Sequence, residues 1–211
     1  MKRKVTLEKI LDIAPLDMAS LGLTRSTIDR VKFLGEGAMG VAFLLPNGLV
    51  LKYTYDLDEG GLALRLLREK RKVRGLPEVF YVGKWHDPKS ADEDDDYLIV
   101  MERAQKTNKK PIDKRLVDVE MMLAGSLDVD DRNPFIQDLT SAIRYITRDN
   151  KLTPSDAVYM AGDELDLHPG NLGMISRGGR DMLAIIDLGQ YRSPESAKVA
   201  TVKNASRRSR R

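Results

Sequence analysis

Apolar positions change period along the chain. Over residues 5–21, Val5, Leu7, Ile10, Leu11 and Ile13 recur near helical spacing, which predicts an amphipathic helix packed on whatever follows. The period then shortens. Val31-Lys32-Phe33-Leu34, Val41-Ala42-Phe43-Leu44-Leu45 and Leu49-Val50-Leu51-Lys52-Tyr53 read as three antiparallel strands, the last two joined through Pro46-Asn47-Gly48. Helical spacing returns over residues 61–73, where Leu62, Leu66 and Val73 share one side. Two more strands are expected at Val79-Phe80-Tyr81-Val82 and Tyr97-Leu98-Ile99-Val100-Met101. The acidic run Asp92-Glu93-Asp94-Asp95-Asp96 between them reads as a solvated hairpin tip.

The second half is mainly helical. Asn133-Pro134 is a helix cap followed by a first-turn proline, and Phe135, Leu139, Ala142, Ile143 and Ile146 keep one apolar face behind it. Gly178-Gly179 splits Leu172-Gly173-Met174-Ile175 from Met182-Leu183-Ala184-Ile185, which predicts a further short hairpin. No internal repeat is visible.

Composition narrows the chemistry. The 211 residues are 42% hydrophobic and 32% charged, as in ordinary globular proteins, and can bury a real core. There is no cysteine, so disulfides, thiolate metal sites and cysteine nucleophiles are excluded; the two histidines, His86 and His168, exclude a multi-histidine site. No apolar run approaches the roughly 18–20 residues a bilayer span needs, so a cytoplasmic protein without membrane contact is expected. The net charge of +3 is set by the tail: Lys198, Lys203, Arg207, Arg208, Arg210 and Arg211 lie within residues 197–211, and the remaining chain carries −3. The tail reads as a solvated terminus, with weak contact to nucleic acid or acidic proteins as the alternative.

Gly35-Glu36-Gly37-Ala38-Met39-Gly40 fits G-x-G-x-x-G. Alone, this is equally a glycine-rich hairpin turn. A dinucleotide fold would lead the glycines from a strand into a helix; here they lead into a second strand, a context in which backbone amides can approach a triphosphate. That version requires a lysine on the next strand, an acid on the next helix and a polar catalytic segment further on. Lys52 ends the strand Leu49-Val50-Leu51. Glu69, seventeen residues on, is the expected counter-charge, and Glu59 the less favoured one, because it falls in the turn before the expected helix.

With these elements in order over residues 31–190, the chain resembles the protein-kinase-like superfamily. Asp166 and Asn171 match the D-L-x-x-x-N segment, Asp187-Leu188-Gly189 matches D-F-G, and Met101-Glu102-Arg103-Ala104 matches the linker between lobes. The resemblance implies an α+β, bilobal protein-kinase-like fold: a five-stranded antiparallel N-lobe with one helix, and a shortened, mainly helical C-lobe. The implied organisation is an N-terminal helical segment (1–30), N-lobe and hinge (31–104), reduced C-lobe (105–192) and basic tail (193–211). It further implies ATP with magnesium, or manganese, as cofactors. Gly35, Gly37, Gly40 and Lys52 would hold phosphates, with Glu69 fixing Lys52. Met101 would back the adenine pocket, with adenine bonded to backbone at Glu102 and Ala104. Asn171 and Asp187 would hold the metal, and Asp166 would receive the acceptor's proton. His168 reads either as a contact to the transferring phosphate or as a packed loop histidine.

The pattern also departs from the superfamily. Glu164-Leu165 replaces His-Arg before Asp166, which argues against an activation-loop phosphate switch. Ala42 stands for valine and Val50 for alanine around the adenine cavity. Only 24 residues follow Asp187, without an A-P-E element or room for the usual peptide platform, so residues 105–160 and the N-terminal helix must supply most of the second lobe's core. This brevity is similar to the early kinases of short-tailed lytic bacteriophages and to minimal effector kinases of bacterial pathogens. The implied activity is phosphoryl transfer to serine or threonine of protein substrates, host proteins among them, with autophosphorylation at Ser193, Ser196, Thr201, Ser206 or Ser209. The alternatives are a small-molecule kinase, of the aminoglycoside or sugar type, and a nucleotide-binding pseudokinase that docks a partner.

Overall fold

A computed structural model describes residues 27–37, 39–85, 96–106, 114–165, 167 and 169–187. The expected helix over residues 5–21, most of the acidic run, Ala38, Asp166, His168 and the basic tail lie outside the described residues. The elements in chain order are β1 (Lys32–Glu36), β2 (Gly40–Leu44), β3 (Val50–Thr54), α1 (Leu57–Glu69), β4 (Val79–Trp85), β5 (Asp96–Met101), β6 (Gln105–Lys106), α2 (Lys114–Leu123), α3 (Pro134–Thr147), α4 (Pro154–Tyr159), β7 (Leu172–Arg177) and β8 (Arg180–Ile185). The architecture is mixed α+β. One sheet has five antiparallel strands in the order β1-β2-β3-β5-β4; a second has three in the order β6-β7-β8.

Strand alternation explains the first sheet. Val41, Phe43, Leu51, Leu98 and Val100 point to one face and form a buried cluster, while Tyr97 and Ile99 point to the other and pack with Ala63 of α1. The β2–β3 connection differs in detail from an Asn-Gly two-residue turn. Leu45 N–H donates to Leu49 O at 2.8 Å and Gly48 N–H to Leu45 O at 3.0 Å, so the loop has three residues. Only Gly48 takes positive φ, 86°, because Pro46 presets the first turn position and leaves the left-handed one to glycine.

The helices follow their caps. Asp56 accepts Asp58 N–H at 2.9 Å and Glu59 N–H at 3.2 Å, which starts α1 at Leu57, four residues before the helix that spacing alone predicts. Asn133 accepts Phe135 N–H at 2.9 Å, with Pro134 in the first turn, and α3 buries Phe135, Leu139, Ala142, Ile143 and Ile146 as their spacing requires. These meet Leu116 and Val119 of α2, Ala157 and Val158 of α4, and Leu183 and Ile185 of β8 in the largest apolar cluster. Among the described residues no helix is long and apolar enough to cross a membrane.

The turn after α1 joins this cluster to the first sheet. Gly75 has φ 81°, and its carbonyl accepts Ile185 N–H at 3.0 Å; a Cβ there would overlap the Asp138 backbone carbonyl. Gly75→Ala therefore combines left-handed strain with a backbone clash, and is expected to cost roughly 2–3 kcal/mol of stability. Urea unfolding checks this, and a midpoint equal to that of the parent would contradict it.

Candidate functional site

The site begins on β3. Lys52 lies directly opposite Ala42 on β2 and Ile99 on β5, and the next row on the same face is Leu44, Val50 and Met101. Sheet register therefore brings four positions singled out by sequence, Ala42, Val50, Lys52 and Met101, to one face.

Lys52 is buried to 8% exposure and its ammonium meets two carboxylates. Nζ lies 2.5 Å from Glu59 Oε1 and 3.5 Å from Asp187 Oδ1. Burial opposes its charge, but Glu59 and Asp187 outweigh burial and hold its pKa above the usual lysine range. Burial pushes the Glu59 carboxyl up, and Lys52 pulls it back.

This corrects the expected partner. Glu69 does not meet Lys52: it sits at the other end of α1, where it accepts a hydrogen bond from the Tyr145 hydroxyl at 2.9 Å. The Asp56 cap puts Glu59 in the first turn, beside the end of β3. Ten residues at 1.5 Å rise then carry Glu69 about 15 Å further along the axis.

Over Lys52 and Asp187 lies the glycine hairpin. Gly35 and Glu36 pair with Ala42 and Val41, and Gly37 N–H donates to Gly40 O at 2.9 Å. Met39 O accepts from Tyr55 N–H at 3.0 Å and Thr54 Oγ1 at 3.2 Å, which ties the loop to the end of β3. A Cβ on Gly40 would overlap the Tyr53 carbonyl, whereas one on Gly37 would stand 4.0 Å from Asp187 Oδ2. Gly40 is thus needed for packing, Gly37 brings the loop to Asp187, and Gly35 borders open space.

The second carboxylate arrives from β8. Ile186 N–H donates to Asn171 O at 2.8 Å, so the segments carrying Asn171 and Asp187 run side by side. Asn171 is buried, and the Asp187 side chain is 46% exposed. A π-helical turn over Met160–Glu164 delivers the chain to this place, closed by Leu165 N–H to Met160 O at 2.9 Å and Leu167 N–H to Ala161 O at 2.8 Å. Leu165 and Leu167, the neighbours of Asp166, are buried anchors.

At the end of β5, Glu102 N–H donates to Glu78 O at 2.8 Å. Its carboxylate accepts Glu78 N–H at 3.1 Å and Arg177 Nε at 3.0 Å, with Arg177 Nη2 closer still. Arg177 also donates to Leu76 O at 2.9 Å, so one guanidinium fastens the post-β5 segment and the Val73–Leu76 turn to β7. Ala104 packs against Ile175, Met182 and Ala184. Sequence reasoning missed this clamp. The Glu59 position had a signal, an Asp cap followed by first-turn acids.

Among the described residues, no cluster of three or more histidine or acidic side chains is arranged around a metal position. No protein-family model and no curated protein sequence matches the chain.

Proposed function

We propose that this chain is an ATP- and magnesium-dependent protein kinase of bilobal, protein-kinase-like fold. In this reading the five-stranded sheet with α1 is the N-lobe, and residues 105–192 form a reduced C-lobe. The observation that carries it is the position of Lys52, paired with Glu59 and Asp187 beneath the glycine hairpin. A buried ammonium in the middle of a strand, paired with two carboxylates beside a glycine hairpin, is suited to polyphosphate.

The roles follow from chemistry. Lys52 binds the α- and β-phosphates, and Glu59, in place of Glu69, fixes its side chain. The Glu102 carbonyl and the Ala104 N–H meet adenine in front of Met101. Asn171 and Asp187 offer the oxygen donors that magnesium prefers, one amide and one carboxylate, and when bound the ion neutralises phosphate charge. Asp166 orients a serine or threonine hydroxyl of the protein substrate. That oxygen bonds to the γ-phosphorus as the bond to the β-phosphate oxygen breaks, the proton passes to the Asp166 carboxylate, and ADP leaves.

The test is transfer from γ-labelled ATP with magnesium, using the protein alone and with bacterial lysate, beside an Asp166→Ala control. Label on protein that the control lacks supports the reading. Label on small acceptors alone would make the chain a small-molecule kinase, and nucleotide binding without transfer would make it a docking pseudokinase. Glu59→Gln is expected to lower transfer roughly 10- to 100-fold by freeing Lys52, while Glu69→Gln should stay within about twofold. The reverse order would restore the pairing expected from spacing.

A further inference from the structure

We propose that a cavity behind α3, apart from the Lys52 cleft, binds a phosphomonoester anion. It is a half-open hollow of about 450 Å³ between the turn after α1, α3 and the α3–α4 connection; its polar lining includes Arg71, Arg74, Ser141, Arg144, Tyr145 and Asn150. That volume suits a small ligand, but the lining is cationic and polar where a drug-like site would be apolar and aromatic.

Charge is in surplus here. Arg74 is engaged by Asp138, Gln137 and the Pro134 carbonyl. Arg144 donates from Nε, at 2.8 Å, and from Nη2 to the neutral Leu152 carbonyl. Arg71 stands 5.9 Å over the Tyr145 ring, and Arg65 covers the same ring at 4.4 Å. Among the described residues, the acids in contact with this group are Asp138, on Arg74, and Glu69, on the Tyr145 hydroxyl. Three guanidiniums, Arg71, Arg74 and Arg144, line the cavity from separate elements, and among the described residues only Arg74 of the three meets a carboxylate, so positive charge is in excess.

A phosphomonoester carries about −1.5 to −2 at neutral pH and three acceptor oxygens, which suits the positive excess that Arg71 and Arg144 supply. Among the described residues, Tyr145 is the one aromatic residue of the lining, and Arg65 already stacks on its ring at 4.4 Å. None of the lining residues belongs to the Lys52 site, so the two sites can be tested with separate substitutions.

The test is an amide titration of the full-length ¹⁵N-labelled protein in a phosphate-free buffer of fixed ionic strength. The probes are a phosphoserine hexapeptide, its unphosphorylated counterpart and inorganic phosphate. The phosphopeptide is expected to shift the amides of Arg71, Ser141 and Asn150, and the unphosphorylated peptide to leave them unmoved. Arg71→Glu and Ser141→Glu, each checked for an otherwise unchanged amide spectrum, should weaken binding at least tenfold. Equal shifts from inorganic phosphate would assign the site to the free anion, the same chemistry from another source. Shifts confined to the Lys52 cleft, equal response to both peptides, or indifference to both substitutions would overturn the proposal.

Discussion

Asp187→Ala is expected to abolish phosphoryl transfer, lowering kcat/KM by at least about 10³, or about 4 kcal/mol of transition-state stabilisation. Two losses combine. Lys52 keeps Glu59 at 2.5 Å but loses its second counter-charge at 3.5 Å, and the cleft loses the carboxylate that the glycine hairpin approaches at Gly37. The side chain is nearly half exposed and buried Lys52 keeps Glu59 as its counter-charge, so the fold should survive its removal. Asp187→Asn separates charge from shape: it keeps the side-chain outline and should be nearly as inactive. Steady-state transfer, read beside nucleotide-induced thermal shifts, checks both. Activity within tenfold of the parent in Asp187→Ala would show that transfer, if present, does not use this carboxylate.

The strand-borne half of the site was legible in the sequence because alternation settles register. Once Val41-Ala42-Phe43 and Leu49-Val50-Leu51 are strands joined by a short turn, Ala42 and Lys52 must share a face. The helix-borne half was not legible, and the reason is local. Asp56-Leu57-Asp58-Glu59-Gly60-Gly61 reads as loop, since two adjacent glycines usually punctuate structure. In the fold Gly60 is helical because α1 crosses the sheet over Tyr97, whose ring a Cβ would overlap. A tertiary contact thus overrides a local breaker, moves the helix start to Leu57 and transfers the lysine's partner from Glu69 to Glu59. The Glu102–Arg177 clamp was hidden for a different reason. Its partners are 75 residues apart, and nothing in either neighbourhood distinguishes a charge that will be paired from one left in solvent.

Asp138→Ala is expected to cost about 3–5 kcal/mol of stability, the usual consequence of removing one partner from a buried ionic arrangement. Asp138 sits on the apolar face of α3 with no exposure, where a lone carboxylate would be costly to desolvate. Arg74 from the turn after α1 donates to one oxygen, Arg180 approaches the same oxygen at 3.8 Å, and Leu183 N–H donates to the other at 3.0 Å. Alanine would leave a backbone N–H of β8 without its acceptor and Arg74 without its counter-charge. Asp138→Asn retains an acceptor for Leu183 and should cost less than the alanine variant. The same residue carries the carbonyl against which Gly75 packs, so effects of Gly75→Ala and Asp138→Ala are expected to be non-additive. Urea unfolding of the two single variants and the double variant measures the coupling. A loss below about 1 kcal/mol for Asp138→Ala would mean that α3, β8 and the turn after α1 are held by apolar packing alone.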